Sequence, residues 1–366
     1  MLHCIKLTTS LALLVGVQFV GVQFAGQAVA GELRQDQVPA DAEWVLHFDM
    51  EAVTGSELYR EALQVGLLKG LEDREHSFDL LRDHEIQEDS DQHIEELLAA
   101  HEFDALVDFK SLTLFGSLDE DSDAVALFEL SAKAQAILED LRAQPEYLAV
   151  EFGGLRFDAW LEDGNEVNGY LFAMPADEDG DIVIAVCEDR EPLVRAVQVL
   201  LGKGPSIEGA RGSEGSQLSA QPGKGSFCYV EIAGGVPGIK GDDPTSRVFS
   251  SARAMRFDVG EHDGLFLAQF SLQADKPGEA KRVAQVILGV VALGSLAAAE
   301  DSSKAQMLAE LADGFSVEAR GDELLADFEI DSSRIVELVL LEREERAQRK
   351  ARREGKRDAL RANDPK

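Results

Sequence analysis

Cysteine is scarce in this chain. It has three, Cys4, Cys187 and Cys228, and Cys4 precedes the apolar run of an export signal, so the mature chain has at most one disulfide. Cys187 and Cys228 each lie in a strand-like run, DIVIAVCED and GSFCYVEIAG. They are the candidate pair, and two buried thiols are the alternative. The motifs of several enzyme classes are also missing. No Gly-x-Ser-x-Gly elbow occurs, and His47 has no Ser or Cys near it in sequence, although triads assemble across a fold. The run QPGKGS lacks both the glycine five residues before Gly223 and the Ser or Thr after Lys224 that a phosphate loop needs. The longest apolar run of the body, 283–299, is seventeen residues interrupted by Gln285. A membrane span needs about 20, and the Gly and Ala content predicts a buried helix packed tightly on a sheet.

Positive charge is the other shortage. The net charge is -34, and it is unevenly distributed. Residues 342–366 hold ten Lys or Arg against six Asp or Glu. Without that tail and Lys6, the body has 24 basic and 63 acidic residues. Such a body repels nucleic acid and anionic lipid; solubility accounts for the charge, and weak divalent cation binding is its functional reading. No cofactor is predicted.

Residues 1–30 read as a signal peptide. Lys6 supplies the positive region, LALLVGVQFVGVQFAG the apolar region, and Ala28-Val29-Ala30 the small-residue cleavage pattern, which predicts maturation at Gly31. A retained anchor is the alternative, and the polar GELRQDQ that follows argues against it. The protein is expected to be exported, to the periplasm or beyond, with no transmembrane span after cleavage.

The body repeats one grammar. Residues 111–141 run strand, acidic turn, strand, helix. Residues 252–288 repeat that order as ARAMRFDV, GEHDG, LFLAQFSLQA and KPGEAKRVAQVIL. The strand EWVLHFDM (43–50) is matched by FCYVEI (227–232). Ser56 is placed to cap a helix that begins ELYREALQ. Residues 150–161, 167–174 and 182–187 read as a meander, and Pro192 opens a helix that ends at Gly202. The expected fold is therefore α+β: two tandem related antiparallel sheet-plus-helix units, 31–204 and 226–340, packed side by side about a pseudo-twofold axis. A Gly/Ser/Pro-rich linker (205–225) joins them, a helical insertion (72–104) interrupts the first, and a basic helical tail (341–366) follows the second.

Candidate chemistry is thin. The acidic insertion carries His76, His84, His93 and His101, and imidazole with carboxylate suits zinc and related ions. His84-Glu85-Ile86-Gln87-Glu88 resembles a metalloprotease helix, but Glu88 stands where the second His belongs. The three spacings, 8, 9 and 8 residues, place no two histidines one helical turn apart, and a solvated helix surface accounts for them. The Asp-rich turns 119–123 and 177–181 suggest calcium loops, but the first lacks the central glycine and the second is too short. Asp49 and Glu231, at the ends of the matched strands, could form a carboxylate pair. In the tail, Arg349, Lys350, Arg352 and Arg353 could cap a helix dipole, fold back on the acidic body, or meet an anionic surface such as lipid headgroups or an acidic polymer.

One resemblance is carried by VPADAEWVLHFDM and FDALVDFKSLTLFG. Pro39, Asp41, Ala42, Trp44, Val45, His47 and Asp49 match the opening strand of a group of uncharacterised secreted proteins of planctomycete-type bacteria. Asp104, Asp108, Leu112, Thr113, Phe115 and Gly116 match a later segment of that group. The resemblance implies export and a shared core, and no activity. The expected function is a non-enzymatic binding or scaffolding protein of the cell envelope, partnered by an envelope protein or polymer and not by nucleic acid. The alternative is a metal-dependent hydrolase, its site near the His-rich insertion or in the groove between the two units.

Overall fold

The structure is a computed structural model that describes residues 33–65, 97–118, 124–162, 166–174, 180–210, 218–234, 252–276, 278–297, 309–341 and 343–344. The chain is α+β, and its strands form one antiparallel sheet of 12 strands. In chain order these are β1 (Trp44–Asp49), β2 (Phe109–Gly116), β3 (Val125–Leu130), β4 (Tyr147–Phe152), β5 (Leu155–Glu162), β6 (Glu166–Met174), β7 (Ile182–Cys187), β8 (Ser226–Ala233), β9 (Ala252–His262), β10 (Leu265–Ala274), β11 (Phe315–Arg320) and β12 (Glu323–Asp331). Across the sheet they run β11-β12-β10-β9-β8-β1-β2-β3-β7-β6-β5-β4.

This corrects the expectation of two separate units side by side. The repeated grammar is present, since β1-β2-β3-β7 on one side of the centre is mirrored by β8-β9-β10-β12 on the other. The halves join edge to edge, however, because β1 hydrogen-bonds to β8 from Trp44↔Ile232 to Phe48↔Cys228. The junction removes two exposed edges at once. The sheet's remaining edges are β4 and β11.

Besides helical segments at 97–100 and 309–313, the helices are α1 (Met50–Gly55), α2 (Glu57–Gln64), α3 (Ala105–Asp108), α4 (Lys133–Arg142), α5 (Arg190–Leu200), α6 (Ile207–Ala210), α7 (Glu279–Ala297) and α8 (332–341). Ser56 caps α2 as expected, its hydroxyl accepting from the Tyr59 N–H at 3.0 Å. A first short helix went unread: Asp49 ends β1 and caps α1 by accepting from the Ala52 N–H at 2.9 Å.

Period-2 alternation assigns each strand's side chains to two faces. On β1, Val45, His47 and Asp49 are buried on one face, while Leu46 and Phe48 lie half-buried on the other. The His47 face is clothed over the N-terminal half by residues 33–42 and by α5, whose Leu193, Ala196 and Val197 meet Phe115, Leu127, Phe157 and Ala185. The Phe48 face is clothed there by α1, α3 and α4 over Leu112, Ala126, Phe128 and Ile184. With both faces covered, β7 is buried at every position, and IVIAVC is correspondingly an unbroken apolar run.

The described parts of the expected linker, 205–210 and 218–225, are tied to the body. Pro39 bridges to Ser206, and Ile207, Leu218 and Ala220 are buried in the core of the His47 face. The 150–161 run is not one strand either. It turns at Gly153-Gly154, both in the left-handed region, as a two-residue hairpin between antiparallel strands requires.

Candidate functional site

Sheet register aligns one polar side chain per strand in a row across the His47 face. Thr113 lies opposite His47, His47 opposite Tyr229, Tyr229 opposite Asp258, Asp258 opposite Gln269, and Gln269 opposite Asp327. The row starts deep in the core and ends near solvent: His47 is 3% and Tyr229 0% exposed, and Gln269 and Asp327 are half-exposed. Thr113 Oγ1 lies 2.9 Å from His47 Nδ1. Gln269 accepts from Arg256 at 2.8 Å and donates to Asp327 at 2.7 Å. Beside the row, Glu231 is fully engaged. Its carboxylate accepts from the Ser219 and Ala220 N–H groups, the Ser219 hydroxyl and the Tyr229 hydroxyl at 2.6–3.1 Å. Burial first, and Glu231 second, push the Tyr229 phenol up.

These contacts hold the sheet together and leave little room for a substrate. The void beneath residues 34–37, lined by His47, Ser111, Thr113 and Glu129, measures about 10 Å³, the size of one water. Asp49 and Glu231 do not form a pair. In an antiparallel junction Asp49 lies beyond Phe48↔Cys228 while Glu231 pairs with Val45, so the matched ends point to opposite rims of the sheet.

Asp49 is 1% exposed, and its Oδ2 has no partner among the described residues. Burial pushes its carboxyl up to about 7, with Glu51 and Glu129 adding like-charge repulsion against the Ala52 hydrogen bond. Burial also raises Glu51. Lys110 pairs with Asp181 and lies 3.7 Å from Glu51. Burial alone would lower its ammonium, but the carboxylates Asp181, Glu51 and Glu129 reverse the direction.

The Phe48 face differs between the halves. In the C-terminal half α7 covers one end only, with Ala280 and Ala284 on Met255, Leu272, Ala274 and Leu324. Beyond that end the same face carries Phe257, Phe270, Phe266, Phe328 and Phe315, with Ala268 and Ala326 between them, as the register dictates. Phe257 and Phe315 are each 43% exposed. Phe328 is tilted on Phe315 with ring centroids 4.6 Å apart and edge-on to Phe266 at 6.2 Å. α7 itself corrects the expectation of a buried helix: Val286 is 62% and Leu288 47% exposed. No helix among the described residues is long and apolar enough to cross a membrane.

At the β9–β10 turn, at the rim of the sheet, α1 and α2 border a groove of about 360 Å³, lined by Glu51, Glu57, Arg60, Glu261, His262 and Asp263. Glu261 lies opposite Phe266 on the Phe48 face and accepts from the Glu57 and Leu58 N–H groups at 2.6 and 2.7 Å, a carboxylate at a helix N-terminus. The Ser332 hydroxyl, at the start of α8, donates to the same carboxylate at 2.7 Å. Asp263 and Gly264 form the two-residue turn between β9 and β10, both at positive φ.

Of the residues singled out by sequence, His76, His84, His93, Arg349, Lys350, Arg352 and Arg353 lie outside the described residues, as do the turn 119–123 and the His84–Glu88 run. His101 Nε2 contacts Asp140 at 2.7 Å, and no group of three metal-ligating side chains occurs among the described residues. Cys187 and Cys228 are not bonded to each other. Three strands separate β7 from β8, which is about 19 Å at 4.8 Å per strand, and the two thiols belong to opposite faces. The groove expected between two units does not exist, since β1–β8 hydrogen bonds fill that place. Sequence reading missed the aromatic floor. Among the described residues three helices flank the Phe48 face in the first half, whereas in the second half α7 packs on one end of it.

The fold and its surfaces define an α+β protein on a continuous antiparallel sheet with one apolar face incompletely covered among the described residues. No protein-family profile and no curated protein matches the chain. Among solved structures it is similar to crystal form III of TP0453, a Treponema protein, at 12% identity and TM-score 0.41 over 84% of this chain and 98% of that one. Crystal form IV of TP0453 gives 10% identity and TM-score 0.40 over 84% and 97%. Superposition of that quality carries no functional argument.

Proposed function

We propose that the protein is an exported, non-enzymatic binding protein of the cell envelope whose contact surface is the aromatic floor of the Phe48 face. The observation that carries this reading is the exposure of Phe257 and Phe315 beside half-buried Phe266, Phe270 and Phe328. Contiguous exposed apolar surface is characteristic of interaction sites, and this chain is otherwise strongly acidic. Export rests on the signal-like residues 1–30. The mirrored strand order on the two sides of β1–β8 supports reading the halves as related.

The test is titration of the folded mature chain with an anilinonaphthalene dye, which fluoresces on exposed apolar surface. Phe257→Ser and Phe315→Ser should each leave the unfolding midpoint nearly unchanged and reduce native-state dye fluorescence by about half. Unchanged fluorescence in both variants rejects the surface as the binding face.

A further inference from the structure

We propose that the partner seated on this face is a positively charged amphipathic helix of another protein, its apolar side on the aromatic floor and its cations against the carboxylates of the neighbouring groove. The proposal rests on the Phe48 face being the contact surface, and it adds the partner's shape and charge.

Shape comes from spacing along β9. Met255 packs in the cluster under α7, and Glu261 is hydrogen-bonded to the first turn of α2. Six residues of extended strand separate them, about 20 Å. A helix about 10 Å wide fits within that span. The floor of the gap alternates large and small side chains, with Phe257 and Phe270 beside Ala268 and Ala326. Such relief receives the ridges of a helix, and an amphipathic helix lying in an apolar groove is a recurrent recognition mode.

Charge comes from the rim. Glu51, Glu57 and Asp263 line the groove at the Phe266 end, with Arg60 and His262 as the cationic side chains there. Asp263 is 84% exposed at its side chain. Glu261 is already occupied by α2 and Ser332, Glu51 lies 3.7 Å from Lys110 and Asp263 lies 3.3 Å from His262 Nε2, so the exposed rim carboxylates presented to an incoming cation are those of Glu57 and, beside His262, Asp263. A net charge of -34 opposes a second copy of the chain, an acidic partner or an anionic bilayer.

The test uses the full mature chain and two short helical peptides, one of Leu and Lys and one of Leu and Gln, read by fluorescence anisotropy. The Leu/Lys peptide should bind about tenfold more tightly than the Leu/Gln peptide. The double variant Glu57→Gln/Asp263→Asn should bring it down to the Leu/Gln level. Glu146→Gln/Glu151→Gln, at the far edge of the sheet, should not. Phe257→Ser should weaken both peptides. If the near and far charge variants behave alike, attraction is generic and the proposal falls while the apolar contact surface stands. If Phe257→Ser changes neither peptide, both readings fall. Binding to neutral phosphatidylcholine vesicles with no binding of either peptide assigns the face to lipid and overturns the proposal.

Discussion

Asp49 has one oxygen capping α1 and the other buried without a partner among the described residues. Its carboxyl is raised from 3.8 to about 7 by burial, with Glu51 and Glu129 contributing. The sign follows from the direction of the shift. Below about pH 4 the group is protonated in both the folded and the unfolded chain. Between about pH 4 and 7 the folded chain holds a proton that the unfolded chain has released, so stability falls as pH rises. Above about pH 7 the full cost is present and constant. A shift of about three units at about 1.4 kcal/mol per unit bounds that cost near 4 kcal/mol. Asp49→Asn keeps the oxygen that accepts from Ala52 and cannot ionise. Urea unfolding of wild type and variant from about pH 4.5 to about pH 8 should give similar stabilities at the acid end. At the upper end the variant should be more stable by about 2–4 kcal/mol. Glu51, also raised, titrates in both proteins, and its repulsion with Asp49 is part of the difference measured. A difference that stays constant across the range refutes the reasoning, as does a carbon-13 NMR titration placing the Asp49 carboxyl below about pH 5.

Three further outcomes are expected. Glu231→Gln removes the charge that accepts from Ser219, Ala220 and Tyr229; it should cost about 2–4 kcal/mol in urea unfolding and speed proteolysis within 205–225. Leu272→Ala, truncating a side chain 2% exposed in the C-terminal half, should cost about 2–5 kcal/mol. Because the sheet is continuous, that loss should appear in the fluorescence transition of Trp44 and Trp160, both in the N-terminal half; an unshifted transition would show that the halves unfold independently. The intact mass of the mature chain should lack the deficit of a Cys187–Cys228 bond, and finding that deficit would contradict the strand order.

Local structure was legible where it depends on neighbouring residues. The Ser56 cap, the β9–β10 turn at Asp263-Gly264 and the strand-turn-strand-helix grammar are all written in short runs. Gly153-Gly154 was equally explicit and was read through, because the apolar residues on either side look like one strand. The join between halves was not legible. Whether FCYVEI pairs with EWVLHFDM or covers it from another layer depends on contacts about 180 residues apart, and alternation in either strand is compatible with both. The same limit hid the site. Phe257 and Phe115 look alike in sequence, and only the placement of α5 and α7 makes one a core residue, 3% exposed, and the other a surface residue, 43% exposed. His47 stood out as a lone strand histidine, and its register opposite Thr113 and Tyr229 turns it into a link in a buried row.

The central position of β1 has a consequence for how the molecule is made. The first strand of the body to leave the ribosome is flanked in the finished sheet by β2 on one side and β8 on the other. Its first edge is satisfied only once residues up to 116 have emerged, and its second only once residue 232 has followed. Through that interval β1 presents an unpaired row of backbone donors and acceptors at the heart of a nascent chain. A late closure between distant segments therefore lies at the middle of the finished sheet, and such a non-local step slows folding. A chain with that order of events needs an escort that keeps extended segments apart, or a folding compartment reached before the first half has had time to pair with a neighbour.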